Sequence, residues 1–241
     1  MMSFLKKPTS VFKILGFVLL TGSMPLMAQE AKPQTSKETV AEQEAAYTRT
    51  ITQRADKIVK TLNIAESAKA TRVRDIIVLQ YRGLNKIHAE RDAQVKAAKE
   101  KAGTDKPIAE AEVKKIEEKT KVQLDKQRAK YLASLSKELR PAQVEQVKDG
   151  MTYGVVPITY KGYLAMLPDL TEEQKTYIMK NLVEARELAM DAESSEKKHG
   201  WFGKYKGRIN NYLSAAGYDL KKAGEEWDKK LKAEAAAKAN K

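Results

Sequence analysis

Between positions 197 and 218 the sequence interleaves rings and cations: Trp201, Phe202, Tyr205, Tyr212 and Tyr218 alternate with Lys197, Lys198, Lys204, Lys206 and Arg208. Flat aromatic faces stack on sugar rings or bases, and neighbouring cations pair with carboxylates or phosphates. A groove for an acidic glycan needs both, so Trp201, Lys204, Tyr205, Lys206, Arg208, Asn211 and Tyr212 are the candidate ligand-binding residues. The same positions have a plainer reading. Ile209, Tyr212 and Leu213 share one helical face, Trp201 and Phe202 are core-forming types, and Gly203 and Gly207 would let a neighbouring helix approach. Whether these rings point inward or line a cleft separates the two readings.

Catalysis on an acidic polysaccharide needs a carboxylate pair, or a Tyr, Lys or Arg beside a bound acid sugar. Asp169, Glu184, Asp191, Glu193 and Glu196 are available, but the chain holds 32 acidic residues, so spacing alone gives none of them a role. The two histidines, His88 and His199, are too far apart for a metal-ligand spacing. The motifs His-Glu-x-x-His, Gly-x-Ser-x-Gly and Gly-x-x-x-x-Gly-Lys do not occur. No metal and no cofactor are expected, His88 reads as structural or solvated, and a binding or accessory role ranks above an enzyme.

The formal charge is +13, from 45 basic and 32 acidic residues, which suits long solvated helices with alternating charge better than a dedicated polyanion channel. There is no cysteine, so packing alone must hold the fold. Lys6, Lys7 and Lys13 precede an apolar run over 14–20 and then Gly22, Ser23 and Pro25, the order of a secretory signal over residues 1–28. Cleavage after Ala28 is the best fit, with Leu26 in place of the usual small residue leaving the exact site open. The uncharged stretch 14–28 is shorter than the ~20 apolar residues that span a bilayer. The expectation is therefore a protein exported to the periplasm or beyond, with no stable membrane span once the signal is removed. Its expected partners are an acidic glycan or an envelope protein, and not nucleic acid.

The elements that must position the candidate residues are helices, and the predicted fold class is all-α. Residues 29–37 read as a disordered polar linker, and 38–150 as a helical hairpin region. A first helix carries Tyr47, Ile51, Ile58, Val59 and Leu62. A longer one follows, with Val73, Ile76, Ile77, Gln80, Leu84, Ile87, Arg91 and Val95 spaced by threes and fours. A turn at 103–107 ends with Pro107, and Val113, Ile116, Thr120, Leu124, Gln127, Tyr131 and Leu135 then give a matching stripe. Two such helices lie antiparallel as a protruding arm whose tip, rich in Ala, Lys and Glu, is thinly packed. Residues 151–228 read as a compact helical bundle. Gly150, Gly154, Pro157, Gly162 and Pro168 among β-favouring residues suggest an irregular connector with a short strand. Thr171 and Gln174 form a capping box for the next helix. A break over 194–203 then precedes helices at 204–215 and 220–237, and 229–241 is a basic Ala/Lys-rich tail expected to fray.

Two resemblances attach to these residues. Leu170, Thr171, Glu172, Glu173 and Gln174 resemble the Leu-Thr-x-x-Gln motif of small periplasmic stress chaperones, and Leu139 to Gln143 is a partial copy. The blocks 150–157 and 170–174, and above all 199–212 (His-Gly-Trp-Phe-Gly-Lys-Tyr-Lys-Gly-Arg-Ile-Asn-Asn-Tyr), resemble a family of exported proteins of unknown function. That family occurs in bacteria that digest complex polysaccharides. The resemblance implies location and metabolic setting, and it carries over no catalytic residue.

Overall fold

The computed structural model describes residues 39–239, and the expectations for 1–28 and 29–37 lie outside them. Among the described residues there are eight α-helices and no strand. They are α1 (Val40–Thr61), α2 (Ser67–Ala102), α3 (Lys106–Glu138), α4 (Pro141–Met151), α5 (Val155–Met166), α6 (Glu172–Met190), α7 (Ser195–Ala215) and α8 (Leu220–Ala239).

Helices α2 and α3 are the expected hairpin. At 36 residues, α2 is about 54 Å long. The Asp105 carboxylate accepts from the Ile108 N–H at 3.1 Å and caps α3, with Pro107 in the first turn. The buried positions of α2 are Val73, Ile77, Gln80, Leu84 and His88, and those of α3 are Thr120, Tyr131 and Leu135. No residue between 89 and 119 is buried, so the outer third of the arm is the thin part. Helix α1 runs back along the base of α2, where the Tyr47 hydroxyl donates to Tyr81 O at 3.0 Å and Arg82 donates to Glu44 at 2.6 Å.

Two apolar clusters divide the work. The first joins Ala55, Ile58 and Leu62 to Val73, Ile77, Tyr131 and Leu135, and to Val144, Val147 and Met151 of α4. Gly150 makes this possible: a Cβ there would lie 2.8 Å from Ile58 Cγ1, so α4 can press on α1 only without one. The second cluster gathers Val156, Tyr163 and Leu167 with Ile178, Leu182, Ala185 and Ala189 of α6 and Phe202, Tyr205, Ile209 and Leu213 of α7. Ion pairs fasten the two together. Arg186 of α6, almost fully buried, donates to Asp149 at 2.6 Å and to Glu145 of α4, and Lys148 reaches Glu187 at 2.7 Å.

Two sequence expectations fail here. The irregular connector is helical: α4 runs to Met151, the chain turns at 152–154, where Tyr153 and Gly154 have φ of 60° and 66°, and α5 begins at once. Pro157 sits in the first turn of α5, where its missing N–H would have no partner anyway. Burial of Val156, Tyr163 and Leu167 on one face outweighs the β propensity of Val155, Val156, Ile158 and Thr159. The break expected over 194–203 is confined to 191–194. The Ser194 hydroxyl accepts from the Lys197 N–H at 3.1 Å, and α7 continues unbroken through Gly200, Gly203 and Gly207. Its inward positions, Lys198, Phe202, Tyr205, Ile209 and Leu213, keep helical spacing throughout. The Thr171–Gln174 capping box forms as read, with Gln174 Oε1 accepting from the Thr171 N–H at 2.9 Å.

Candidate functional site

Because α7 starts at Ser195, Trp201, Lys204, Tyr205, Arg208, Asn211 and Tyr212 recur every three or four residues on a helix and share one edge of it. Lys206 lies off that edge. Facing it, α6 contributes Tyr177, Asn181 and Glu184, which are spaced the same way. Tyr177 and Tyr212 stack with centroids 4.0 Å apart. The Tyr205 hydroxyl donates to Glu184 Oε1 at 2.9 Å. Arg208 lies over the Tyr205 ring, 4.4 Å from its centroid, with Nη1 3.5 Å from Asn181 Oδ1 and 3.7 Å from Glu184 Oε2. Lys204 sits 5.4 Å from the Trp201 ring centroid.

Residues 201–212 rise about 16 Å along the helix, so rings and charges alternate over roughly the length of three sugar units. The strip is a seam and not a cleft, which is what the core-forming reading expects of its rings; only the outer edge, where Trp201, Lys204, Arg208, Asn211 and Tyr212 keep exposed surface, is open to a ligand. Phe202 and Tyr205 point inward and are core, while Trp201 and Tyr212 are half-buried against it. Burial, joined by the Glu184 carboxylate, raises the Tyr205 hydroxyl above its usual range. Arg208 and Glu184 stay about half exposed and available to a ligand. The glycines do not serve helix packing: a Cβ at Gly203 or Gly207 would meet nothing within 4 Å.

On the far side of α7 three helices border a shallow, open depression that leaves no trace in the local sequence. A cavity of about 340 Å³ is lined by Thr159, Gly162, Tyr163 and Met166 of α5, Asn210 of α7, and Leu220 and Trp227 of α8. The Tyr163 hydroxyl donates to Asn210 Oδ1 at 2.6 Å, and burial pushes that hydroxyl up to about 12. No lining residue is charged.

The carboxylates raised as catalytic candidates scatter. Glu184 belongs to the strip, while Asp169 and Glu196 are exposed. Asp191 ends α6 in a buried polar knot with the arm. Its Oδ2 accepts from Arg128 Nε at 2.7 Å, and its Oδ1 has no partner. Burial raises its carboxyl above the ordinary value despite Arg128. His88 Nε2 lies 2.7 Å from Asp191 O and must carry the proton, which leaves Nδ1 to accept from Arg91 at 3.1 Å. His88 is thus a structural bridge, with Glu193 3.8 Å from Nδ1. Lys198 donates to Ala189 O at 2.9 Å and Met190 O at 3.2 Å, capping α6, and burial lowers it to about 8. Of the candidate carboxylates, Glu184 lies beside Tyr205 and Arg208 and is half exposed, while the buried Asp191 is paired with Arg128. Among the described residues no cluster of three or more His, Asp or Glu is placed to hold a metal ion. No helix among them is long and apolar enough to cross a membrane.

No curated protein matches the chain. A family profile described as protein of unknown function, DUF3826, matches residues 48–233, a span that holds the arm, the bundle, the α6/α7 strip and the three-helix cavity. The chain belongs to the DUF3826 family.

Proposed function

We propose that this protein is an exported helical accessory protein that binds acidic polysaccharide along the α6/α7 strip. The observation that carries this reading is the shared edge: residues singled out for ring and charge chemistry fall side by side on α7, opposite Tyr177, Asn181 and Glu184. Arg208 supplies a half-exposed guanidinium for a uronate carboxylate, which it can grip with two parallel N–H groups. Lys204 adds a second cation beside Trp201, and the exposed parts of Trp201 and Tyr212 offer surface for pyranose rings. Asn211 is exposed on the same edge and can donate to sugar hydroxyls. The basic charge, +13 for the whole chain and +10 without the three lysines of residues 1–28, favours anionic ligands, and the sequence pattern of residues 1–28 supports export.

The test is an array of acidic and neutral glycans at low and physiological salt, with Trp201→Ala and Arg208→Ala alongside the parent chain. The reading expects saturable binding of acidic glycans that both substitutions abolish while helicity is kept. Binding that physiological salt removes and neither variant alters would overturn it.

A second reading, a periplasmic chaperone, draws on apolar side chains exposed along the arm, namely Leu79, Ile108 and Val122. It expects suppression of aggregation of an unfolded client, lost when these three positions become Ser. A client that aggregates at the same rate with and without the protein would dismiss it.

A further inference from the structure

We propose that the base of the α2/α3 arm is a docking groove for a short acidic amphipathic helix of a partner protein. Two neighbouring cavities, of about 320 and 390 Å³, both include Gly83, Lys86, Gln127 and Lys130, so they form one continuous groove along the hairpin. Its floor is part aliphatic and part amide: Ile76 and Ile87 are half-buried and Leu79 is 64% exposed, with Gln127 lying between them. Four cations border it, Arg82, Lys86, Lys126 and Lys130, against one acid, Glu90. Arg82 is held by Glu44 and Lys86 lies 3.9 Å from Glu90, whereas Lys126 and Lys130 make no ion pair among the described residues.

The floor is kept flat by a missing side chain. A Cβ on Gly83 would come within 2.5 Å of Gln127 Nε2, so glycine leaves room for Gln127 to lie across α2, and a larger residue would turn that side chain aside. Gln127 then donates to Gln80 Oε1 at 2.9 Å. Gln80, which lines the groove and is 1% exposed, is left with an Nε2 that finds no acceptor.

The chemistry of the walls selects the occupant. A partly apolar floor between cations calls for apolar side chains on one face and carboxylates on the flanks. From Ile76 to Glu90 the groove runs about 21 Å, the length of a helix of about 14 residues. A third helix laid against two antiparallel ones is ordinary helix packing. A saccharide is the poorer fit, because the one aromatic ring in the lining, Tyr131, is almost fully buried and gives no stacking platform. The groove lies on the arm and the strip on α6/α7, so this proposal stands independently of glycan binding.

The test is fluorescence anisotropy of the mature chain with a labelled peptide of about 18 residues, Leu at helical spacing and Glu elsewhere. A second peptide carries Lys in place of every Glu, and acidic oligogalacturonate serves as competitor. The proposal expects saturable binding of the acidic peptide at physiological salt and none of the basic one. It also expects a loss of roughly tenfold in Lys126→Glu/Lys130→Glu and in Leu79→Lys, positions exposed enough to leave the thermal melt unchanged. Absence of binding overturns it. So does displacement of the peptide by oligogalacturonate at equal charge with Leu79→Lys without effect, which would mark plain polyanion attraction. Self-association of the chain that the same substitutions abolish would make a second copy the occupant and would equally overturn it.

Discussion

Replacing Lys198 by Met should change how stability depends on pH. Lys198 is 6% exposed, its ammonium donates to the last carbonyls of α6, and it has Asp191 as its favourable charge and Arg54 as an unfavourable one. Burial outweighs Asp191 and lowers Lys198 from 10.5 to about 8. The folded state therefore releases this proton while the unfolded chain still holds it. Between those two values the unfolded state binds one proton more, and stability rises with pH by about 1.4 kcal/mol per unit from this group. Below the folded value both states are protonated and the cost of burying the charge is fully present. Urea unfolding followed by circular dichroism, for the parent and Lys198→Met, separates this group from every other titration because only the difference is used. That difference should grow in favour of the parent by about 1.5 kcal/mol between about pH 8 and about pH 9.5. The range stops short of the buried tyrosines Tyr81 and Tyr163, both pushed up to about 12. Curves that stay parallel would refute the burial argument, since a solvated lysine gives no slope there.

Other outcomes follow from the same packing. Gly203→Ala and Gly207→Ala should each stabilise the protein by about 0.5–1 kcal/mol in urea unfolding, because a Cβ there meets nothing and helix propensity alone acts. Gly150→Ala should do the opposite, losing about 1–3 kcal/mol as its Cβ meets Ile58; a gain would show that α1 and α4 are less tightly apposed. Arg186→Ala should cost about 3 kcal/mol by stripping Asp149 and Glu145 of their buried partner. A loss under about 1 kcal/mol would mean that water serves these carboxylates as well as Arg186 does.

The parts legible in the sequence are those where local pattern and burial agree. The stripes of α2 and α3, the turn before Pro107 and the Thr171–Gln174 cap all follow from spacing of single residues. Residues 150–168 and 195–203 mislead because glycine and proline read as breakers and, in the first segment, β-branched residues as extended chain. In the fold, Pro157 falls in a first turn, the α7 glycines face outward, and the inward positions keep a helical period. The strip was half legible. The α7 residues could be named, but their alignment on one edge required helix from Ser195 onward, and Tyr177, Asn181 and Glu184 come from a separate helix. The three-helix cavity left no local signal, since Tyr163, Asn210 and Trp227 are far apart in the chain and each is unremarkable in its own segment.

The most direct test of the central claim is titration calorimetry of the mature chain with acidic oligogalacturonate at physiological salt, with Arg208→Ala in parallel. Binding on the α6/α7 strip predicts a saturable isotherm for the parent and a loss of roughly tenfold or more for Arg208→Ala, the cost of one charge-assisted, two-pronged contact. Equal isotherms for the two proteins, or no heat of binding in either, would contradict it.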